Sequence, residues 1–448
     1  MHTLSVSPGQ LTDGSLKIAG FKHAVTLIMS AAVCFKKDCF IKNVPQVLDT
    51  SVLNSIINHL GGDSHCEDDT LRINCTHLRD WIIPVDMAEK IHGAIYLIPV
   101  LLGRFKQVSF ASFGGCAIGD NGARPLQHML DVLSHFSASF DINDERMIGS
   151  TNGFQACTID IMDFSDFPDD LTGPLVSGAT KTAILASLSV TEGVTRILNP
   201  YLKPDVTELL SFLRLNGFRV SWNKEEIVIC PPDVPVDIVT RDKVTVTLLS
   251  DLSEVITYLT LSILSGKKIR LHCDKIDNVI SGLQAEITLF RRIGINIIHE
   301  NKTLYAVAKP ELSPCDVVVK STSIYSDHQP FFALILCYAR GLSNIEERVW
   351  KHRFSYAHEL NKMGTDIGVF DGKICINPAV LNSEPQSVFA QDLRSAAVLL
   401  IAAIVRNGET IITGCEHLER GYTHLIENLS SLGVNIHYLQ SNKKEIVA

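Results

Sequence analysis

Leu425-Ile426-Glu427-Asn428-Leu429-Ser430-Ser431-Leu432-Gly433-Val434-Asn435-Ile436-His437-Tyr438 places a helix against a strand with one glycine between them. Leu425, Ile426, Leu429 and Leu432 recur at helical spacing, and Gly433 supplies the residue type that ends a helix in the left-handed conformation. Beyond it, Val434, Ile436 and Tyr438 alternate with polar neighbours, the period of a strand with one covered face. Upstream, Asn407-Gly408 turns into a strand over 409–413 and a polar loop.

The same transition recurs at Leu60-Gly61, Phe136-Ser137, Asn216-Gly217, Ile293-Gly294 and Met363-Gly364, at spacings of 69 to 80 residues. That period is too regular for chance and too long for a solenoid unit. An apolar helix precedes each of five turns, over 24–32, 180–189, 255–264, 331–339 and 396–405, and the apolar faces are broad enough to require cover on most sides. Six strand-helix-strand units predict an α/β fold. Pro231-Pro232-Asp233-Val234-Pro235 falls after the third unit, so a boundary near residues 236–245 gives two domains of three units each.

The chain has 448 residues and a formal net charge of −9, which argues against a nonspecific nucleic-acid binder. Its twelve cysteines are scattered without a CxxC pair, and its histidines form no HExxH spacing, so neither metal nor cofactor is expected. The apolar runs at 95–102 and 395–405 are too short to span a membrane. With a polar start and no secretory pattern, a cytoplasmic location is expected, with a monomer among the states the sequence allows.

Cys116 differs from the other thiols in its setting, Phe113-Gly114-Gly115-Cys116-Ala117-Ile118-Gly119, with Arg124-Pro125 just beyond. Glycines let the backbone approach a ligand, and nearby cations favour the thiolate, so this cysteine suits a nucleophile or an acid. Cys337, inside Ile335-Leu336-Cys337-Tyr338, reads as core instead. Lys22-His23 opens an apolar helix, Arg394 stands between Asp392-Leu393 and another, and Arg420-Gly421 precedes the last. Singly, each is a capping or surface charge; together they suit phosphate and carboxylate groups. Asp327, just before the helix beginning at Phe331, is explained equally by N-capping and by contact with a substrate hydroxyl.

These words together, with Ser177-Gly178-Ala179-Thr180, Asp392-Leu393-Arg394 and Arg420-Gly421-Tyr422, resemble the bacterial UDP-N-acetylglucosamine enolpyruvyl transferases, within the wider superfamily that includes the shikimate-pathway enzyme. The resemblance runs from Gly14 to Ile436. It implies a two-domain inside-out α/β barrel with the active site in the interdomain cleft. One domain would be 21–240, and the other 1–20 with 241–448. The implied reaction passes the enolpyruvyl group of phosphoenolpyruvate to a sugar hydroxyl and releases phosphate by addition and elimination. Cys116 matches the loop cysteine that acts as acid and is alkylated by fosfomycin. Lys22, Arg124, Arg394 and Arg420 match the phosphoenolpyruvate cations, and Asp327 matches the carboxylate at the accepting hydroxyl.

Departures cluster on the substrate side. His23 replaces an asparagine, and His92 an arginine. Asp120-Asn121-Gly122 lengthens the cysteine loop, Leu126-Gln127-His128 replaces the uracil-binding segment, and Pro174 falls near a usual lysine. Hence His23, His92, Gln127, Ser177 and Gly178 are expected at the substrates, and the acceptor is UDP-N-acetylglucosamine or another nucleotide such as UMP. A catalytically weak nucleotide-binding homologue is the third alternative.

Overall fold

The computed structural model describes residues 2–115, 125–142, 146–233 and 243–439. All six predicted turns adopt positive φ: Gly61 95°, Ser137 69°, Gly217 93°, Gly294 103°, Gly364 107° and Gly433 87°. The repeat is therefore a backbone property, in which each helix ends in the left-handed region and the chain reverses into a strand.

Among the described residues the strands form six sheets, five of four strands and one of three. In the last repeat Gln386–Phe389 runs parallel to Thr410–Thr413, with helix Leu393–Val405 between them in sequence, and Asn435–Leu439 follows helix Leu425–Ser431. The repeat at Thr158–Asp160, Thr195–Leu198 and the hairpin Arg219–Trp222 and Glu226–Cys230 has the same parallel pair and antiparallel return. The three-stranded sheet keeps a trace of its fourth strand, as Ile82 bridges Ser109 in parallel.

In the fourth repeat Ile276–Gly282 and Gln284–Ile293 are separate helices, divided at Leu283, whose φ of −98° and ψ of 14° lie outside the helix.

Each half turns the usual sheet-inside arrangement around. Helices Leu252–Ser265, Gln329–Leu336 and Leu393–Val405 pack on one another, and their apolar side chains are almost entirely buried. Lys22–Ala32, Leu97–Phe105 and Val176–Ser187 form the corresponding interior of the other half. Burying a leucine or isoleucine side chain contributes about 1.5–3 kcal/mol, so helices apolar on every face belong inside and the amphipathic ones outside.

The halves exchange strands. Gly14–Lys17 pairs with Ile269–His272, whereas Lys243–Thr247 pairs with Asp38–Lys42. Thr3–Ser7 lies between Thr410–Thr413 and Asn435–Leu439. The two crossing segments touch: Gly20 bridges Ser250, the Phe21 N–H donates to Leu249 at 2.8 Å, and the Asp251 N–H donates to Ala19 at 2.7 Å. A side chain at Gly20 would sit 1.8 Å from the Asn43 carbonyl oxygen, which keeps this position glycine.

Candidate functional site

A cavity of about 230 Å³ opens between the halves. Around it gather the starts of inner helices, with Lys22 and His23 on Lys22–Ala32, Ser177 and Gly178 on Val176–Ser187, and Leu393 on Leu393–Val405. Helix N-termini carry partial positive charge and unpaired N–H groups, so several converging on one cleft make it receptive to anions.

Asp327 is the centre of the C-terminal wall. Its Oδ1 accepts from Arg353 at 2.6 Å, and its Oδ2 accepts from both Nε and a terminal nitrogen of Arg394 at 3.0 and 2.8 Å. Desolvation alone would raise this carboxyl, but Arg394 and Arg353 outweigh it and hold the group well below the usual carboxylate range. Asp327 is not an N-cap: His328 occupies that position of helix Gln329–Leu336, without a side-chain cap bond. The cap role is instead taken by Asp392, which accepts from the Arg394 and Ser395 N–H groups at 2.7 and 2.9 Å and so fixes the turn from which Arg394 reaches Asp327.

The turn bearing Asp327 is pinned from behind. His328 Nδ1 faces Glu286 at 2.8 Å and its Nε2 lies 3.2 Å from the Ser253 hydroxyl, while Glu286 also accepts the Tyr325 N–H at 2.9 Å. The spacing is that of a serine-histidine-acid relay, but Ser253, His328 and Glu286 are 3%, 0% and 0% exposed, so it orients the turn without meeting substrate.

On the N-terminal side, the Lys22 ammonium lies 3.1 Å from Asp49, whose other oxygen lies 3.9 Å from Arg420 Nε. Asp251 ties this wall to the other half, capping helix Leu252–Ser265 while its Oδ2 accepts the Lys22 N–H at 2.9 Å. His23 stacks on Phe21, with ring centroids 5.3 Å apart, and its Nε2 is 3.7 Å from Asp327. Desolvation pushes the imidazole down to about 3 against the pull of Asp327, so His23 rests as a neutral ring.

A third group lines the cleft from helices Val176–Ser187 and Pro204–Leu215. Lys181 pairs with Asp205 at 2.5 Å. Lys203 places its ammonium 3.7 Å from the Tyr325 ring centroid, and Tyr201 and Ser177 line the same cavity. Burial lowers Lys203 to about 8, although Glu286, Asp205 and Asp327 favour its charged form.

Of the residues expected from sequence, Lys22, His23, His92, Ser177, Gly178, Asp327 and Arg420 line the cavity, and Arg394 stands directly behind Asp327. Gln127 does not join them: it is exposed and donates to Asp131 at 2.8 Å, leaving His128 and Pro125 on the wall. His128 packs so closely that a side chain at Gly178 would fall 2.3 Å from its Nε2. Cys116 and Arg124 lie outside the described residues. Gly114, just before them, meets the Glu89 carbonyl so closely that a Cβ would stand 1.9 Å away. Arg353, Asp49, Lys181 and Lys203 were not expected. Lys181 had a signal, as a charge inside an otherwise buried helix; Arg353, in Trp350-Lys351-His352-Arg353, looked like one of several surface cations.

Two domains of inner helices with an anion-receptive cleft between them define a class of transferase, and similarity to known proteins gives its membership. The family model described as EPSP synthase (3-phosphoshikimate 1-carboxyvinyltransferase) matches residues 6–429. A UDP-N-acetylglucosamine 1-carboxyvinyltransferase of Campylobacter fetus subsp. fetus is 30% identical, covering 97% of this chain and 99% of the relative. One from Wolbachia sp. subsp. Drosophila simulans is 29% identical, with coverage of 94% and 96%. The crystal structure of the enolpyruvyl transferase NikO from Streptomyces tendae superposes with a TM-score of 0.91 at 32% identity, covering 98% and 99% of the two chains. The EPSP synthase of Acinetobacter baumannii, at 15% identity, 98% and 100% coverage and a TM-score of 0.67, shares the fold. The chain therefore belongs to the enolpyruvyl transferase superfamily, and it is an enzyme of that class.

Proposed function

We propose that this enzyme transfers the enolpyruvyl group of phosphoenolpyruvate to a sugar hydroxyl of UDP-N-acetylglucosamine, releasing phosphate, in the cytoplasm. The observation that carries the proposal is the arrangement of Lys22, Arg353, Arg394 and Arg420 around two carboxylates, Asp49 and Asp327, in one cleft. The division into 21–240, and 1–20 with 241–448, belongs to the same proposal, with strand Lys243–Thr247 lent back across the boundary.

In this mechanism Lys22, Arg394 and Arg420, with Arg124 from the cysteine loop, neutralise the donor's phosphate and carboxylate. The acceptor hydroxyl adds to carbon 2 and gives its proton to Asp327, while Cys116 protonates carbon 3. Loss of that carbon-3 proton then expels phosphate and restores the enol ether. At rest Asp327 is a poor base, because two guanidinium groups stabilise its anion. A donor anion that draws either arginine toward itself raises the carboxylate's proton affinity, so the base strengthens when the donor is in place.

A second reading, with a nucleoside monophosphate such as UMP as acceptor, is favoured by one feature. Pro174 lines the cleft where the resemblance expects a lysine, which leaves the wall short of a diphosphate contact. Incubation with phosphoenolpyruvate and either nucleotide, followed by phosphate release and product mass, decides between them. Product with UDP-N-acetylglucosamine supports the first; product with UMP alone overturns it, and phosphate release with neither removes both.

A further inference from the structure

The cleft carries more cation than the donor uses. Lys203 is 8% exposed, lines the cavity, and forms no ion pair within 4.0 Å among the described residues. Its position differs from that of Lys181, whose ammonium is taken by Asp205. Both ammonium groups flank the Tyr201 ring, 5.9 and 5.5 Å from its centroid, and Tyr201 lines the cavity together with Ser177. Lys203 is also the N-cap residue of helix Pro204–Leu215, a twelve-residue helix whose first position is proline, so its backbone sits where the helix field is positive. A buried ammonium resting on an aromatic face, with no carboxylate of the described residues within 4.0 Å and an open cavity in front, is free to take a ligand's anion.

We propose that Lys203, with Tyr201 and Ser177 lining the same cavity, forms the subsite that holds a phosphate group of the acceptor nucleotide. This rests on the reading of the cleft as an enolpyruvyl transfer site and assigns the half of it that the donor cations leave empty. The donor anions have Lys22, Arg394 and Arg420 near Asp49 and Asp327. His23, neutral at rest, stands 3.7 Å from Asp327, between the two groups of cations. An acceptor anchored by its phosphate on Lys203 would reach across His23 to present a hydroxyl to Asp327.

The test compares wild type with Lys203→Met, which keeps the stem and its packing, and Lys203→Arg, which restores the charge. Calorimetry measures binding of UMP, UDP-N-acetylglucosamine, uridine and phosphoenolpyruvate, and turnover is measured in parallel. The expected result is that Lys203→Met weakens whichever phosphorylated acceptor the wild type binds by about ten-fold or more, the loss of one charge-assisted hydrogen bond. Uridine and phosphoenolpyruvate binding stay within two-fold in that variant (~2, below the scatter of single contacts), and Lys203→Arg recovers most of the affinity. Equal losses for uridine and its phosphorylated counterparts would make Lys203 a strut between the halves and overturn the proposal. So would weakening of phosphoenolpyruvate alone, or no phosphorylated acceptor bound by wild type. If a nucleotide binds through Lys203 but no phosphate is released, the subsite stands and the transfer reaction falls. If phosphate is released and neither turnover nor acceptor binding responds to Lys203→Met, the transfer reaction stands and the subsite falls.

Discussion

The two walls of the cleft hold positive charge in opposite ways. On the C-terminal wall Arg353 and Arg394 are both committed to Asp327, through three hydrogen bonds of 2.6 to 3.0 Å. On the N-terminal wall Lys203 rests on an aromatic ring with no such partner among the described residues. Guanidinium groups keep their charge at any working pH and grip carboxylates in a fixed fork, whereas a buried ammonium can lose its proton. One wall is thus a preset clamp with a carboxylate held in reserve, and the other is a cation whose strength depends on burial and on what enters.

The comparison breaks most visibly at Asp327. Asp327→Asn removes the base but frees two arginines, so turnover should fall by about 10²–10⁴-fold while phosphoenolpyruvate binding is unchanged or tighter. Steady-state kinetics with donor binding measured separately checks this, and a parallel loss of donor affinity would show that Asp327 is chiefly scaffolding.

Arg394→Lys should be the next largest, because a point charge cannot reproduce the forked contact to Asp327. A drop of about ten- to a hundred-fold in kcat/KM is expected, from about 1.5–3 kcal/mol of lost charged hydrogen bonding. A fully active lysine variant would mean that only net charge matters on that wall.

The lysine wall should respond to pH where the arginine wall does not. Lys203 is pushed down to about 8 by burial, against the opposing charges of Glu286, Asp205, Asp327 and Glu347. Its charge is therefore present below that value and lost above it, and the KM for a phosphorylated acceptor should climb as pH rises from about 6.5 to about 9.5, one and a half units either side of the transition. Lys203→Arg should flatten that limb, and a limb of unchanged steepness would assign it to another group.

The smallest effect should come from the ion pair between Lys320 and Asp170, which joins the halves at 3.0 Å with both side chains partly exposed. Asp170→Asn should cost under about 1 kcal/mol, seen as a small shift in thermal midpoint. A large loss would show that this contact governs how the cleft is held.

Much of the fold was legible because it is written in the backbone. Gly61, Gly217, Gly294, Gly364 and Gly433 are needed at positive φ, and that need leaves a residue type at a fixed period. Ser137 takes the same conformation without being glycine, and only the period revealed it. The exchange of strands had no local mark, since Gly14–Lys17 and Lys243–Thr247 choose partners far away in sequence; the resemblance grouped 1–20 with 241–448, and nothing in the sequence pointed to Lys243–Thr247 pairing with Asp38–Lys42. The site divided along the same line. Lys22 and Arg394 interrupt apolar helices and stood out, but Arg353 and Asp49 acquire meaning from partners distant in sequence. Asp327 was visible yet ambiguous, because a carboxylate before a helix is usually a cap, and its turn toward two arginines is a tertiary fact.

Strand exchange also bears on how the molecule is made. Thr3–Ser7 is synthesised long before either neighbour, Thr410–Thr413 or Asn435–Leu439, leaves the ribosome. Gly14–Lys17 likewise waits for Ile269–His272, and the sheet begun by Asp38–Lys42 keeps an open edge until Lys243–Thr247 arrives. The chain cannot complete its halves one after the other. Unpaired edges persist through most of translation, and shielding them during that interval becomes a task for the cell.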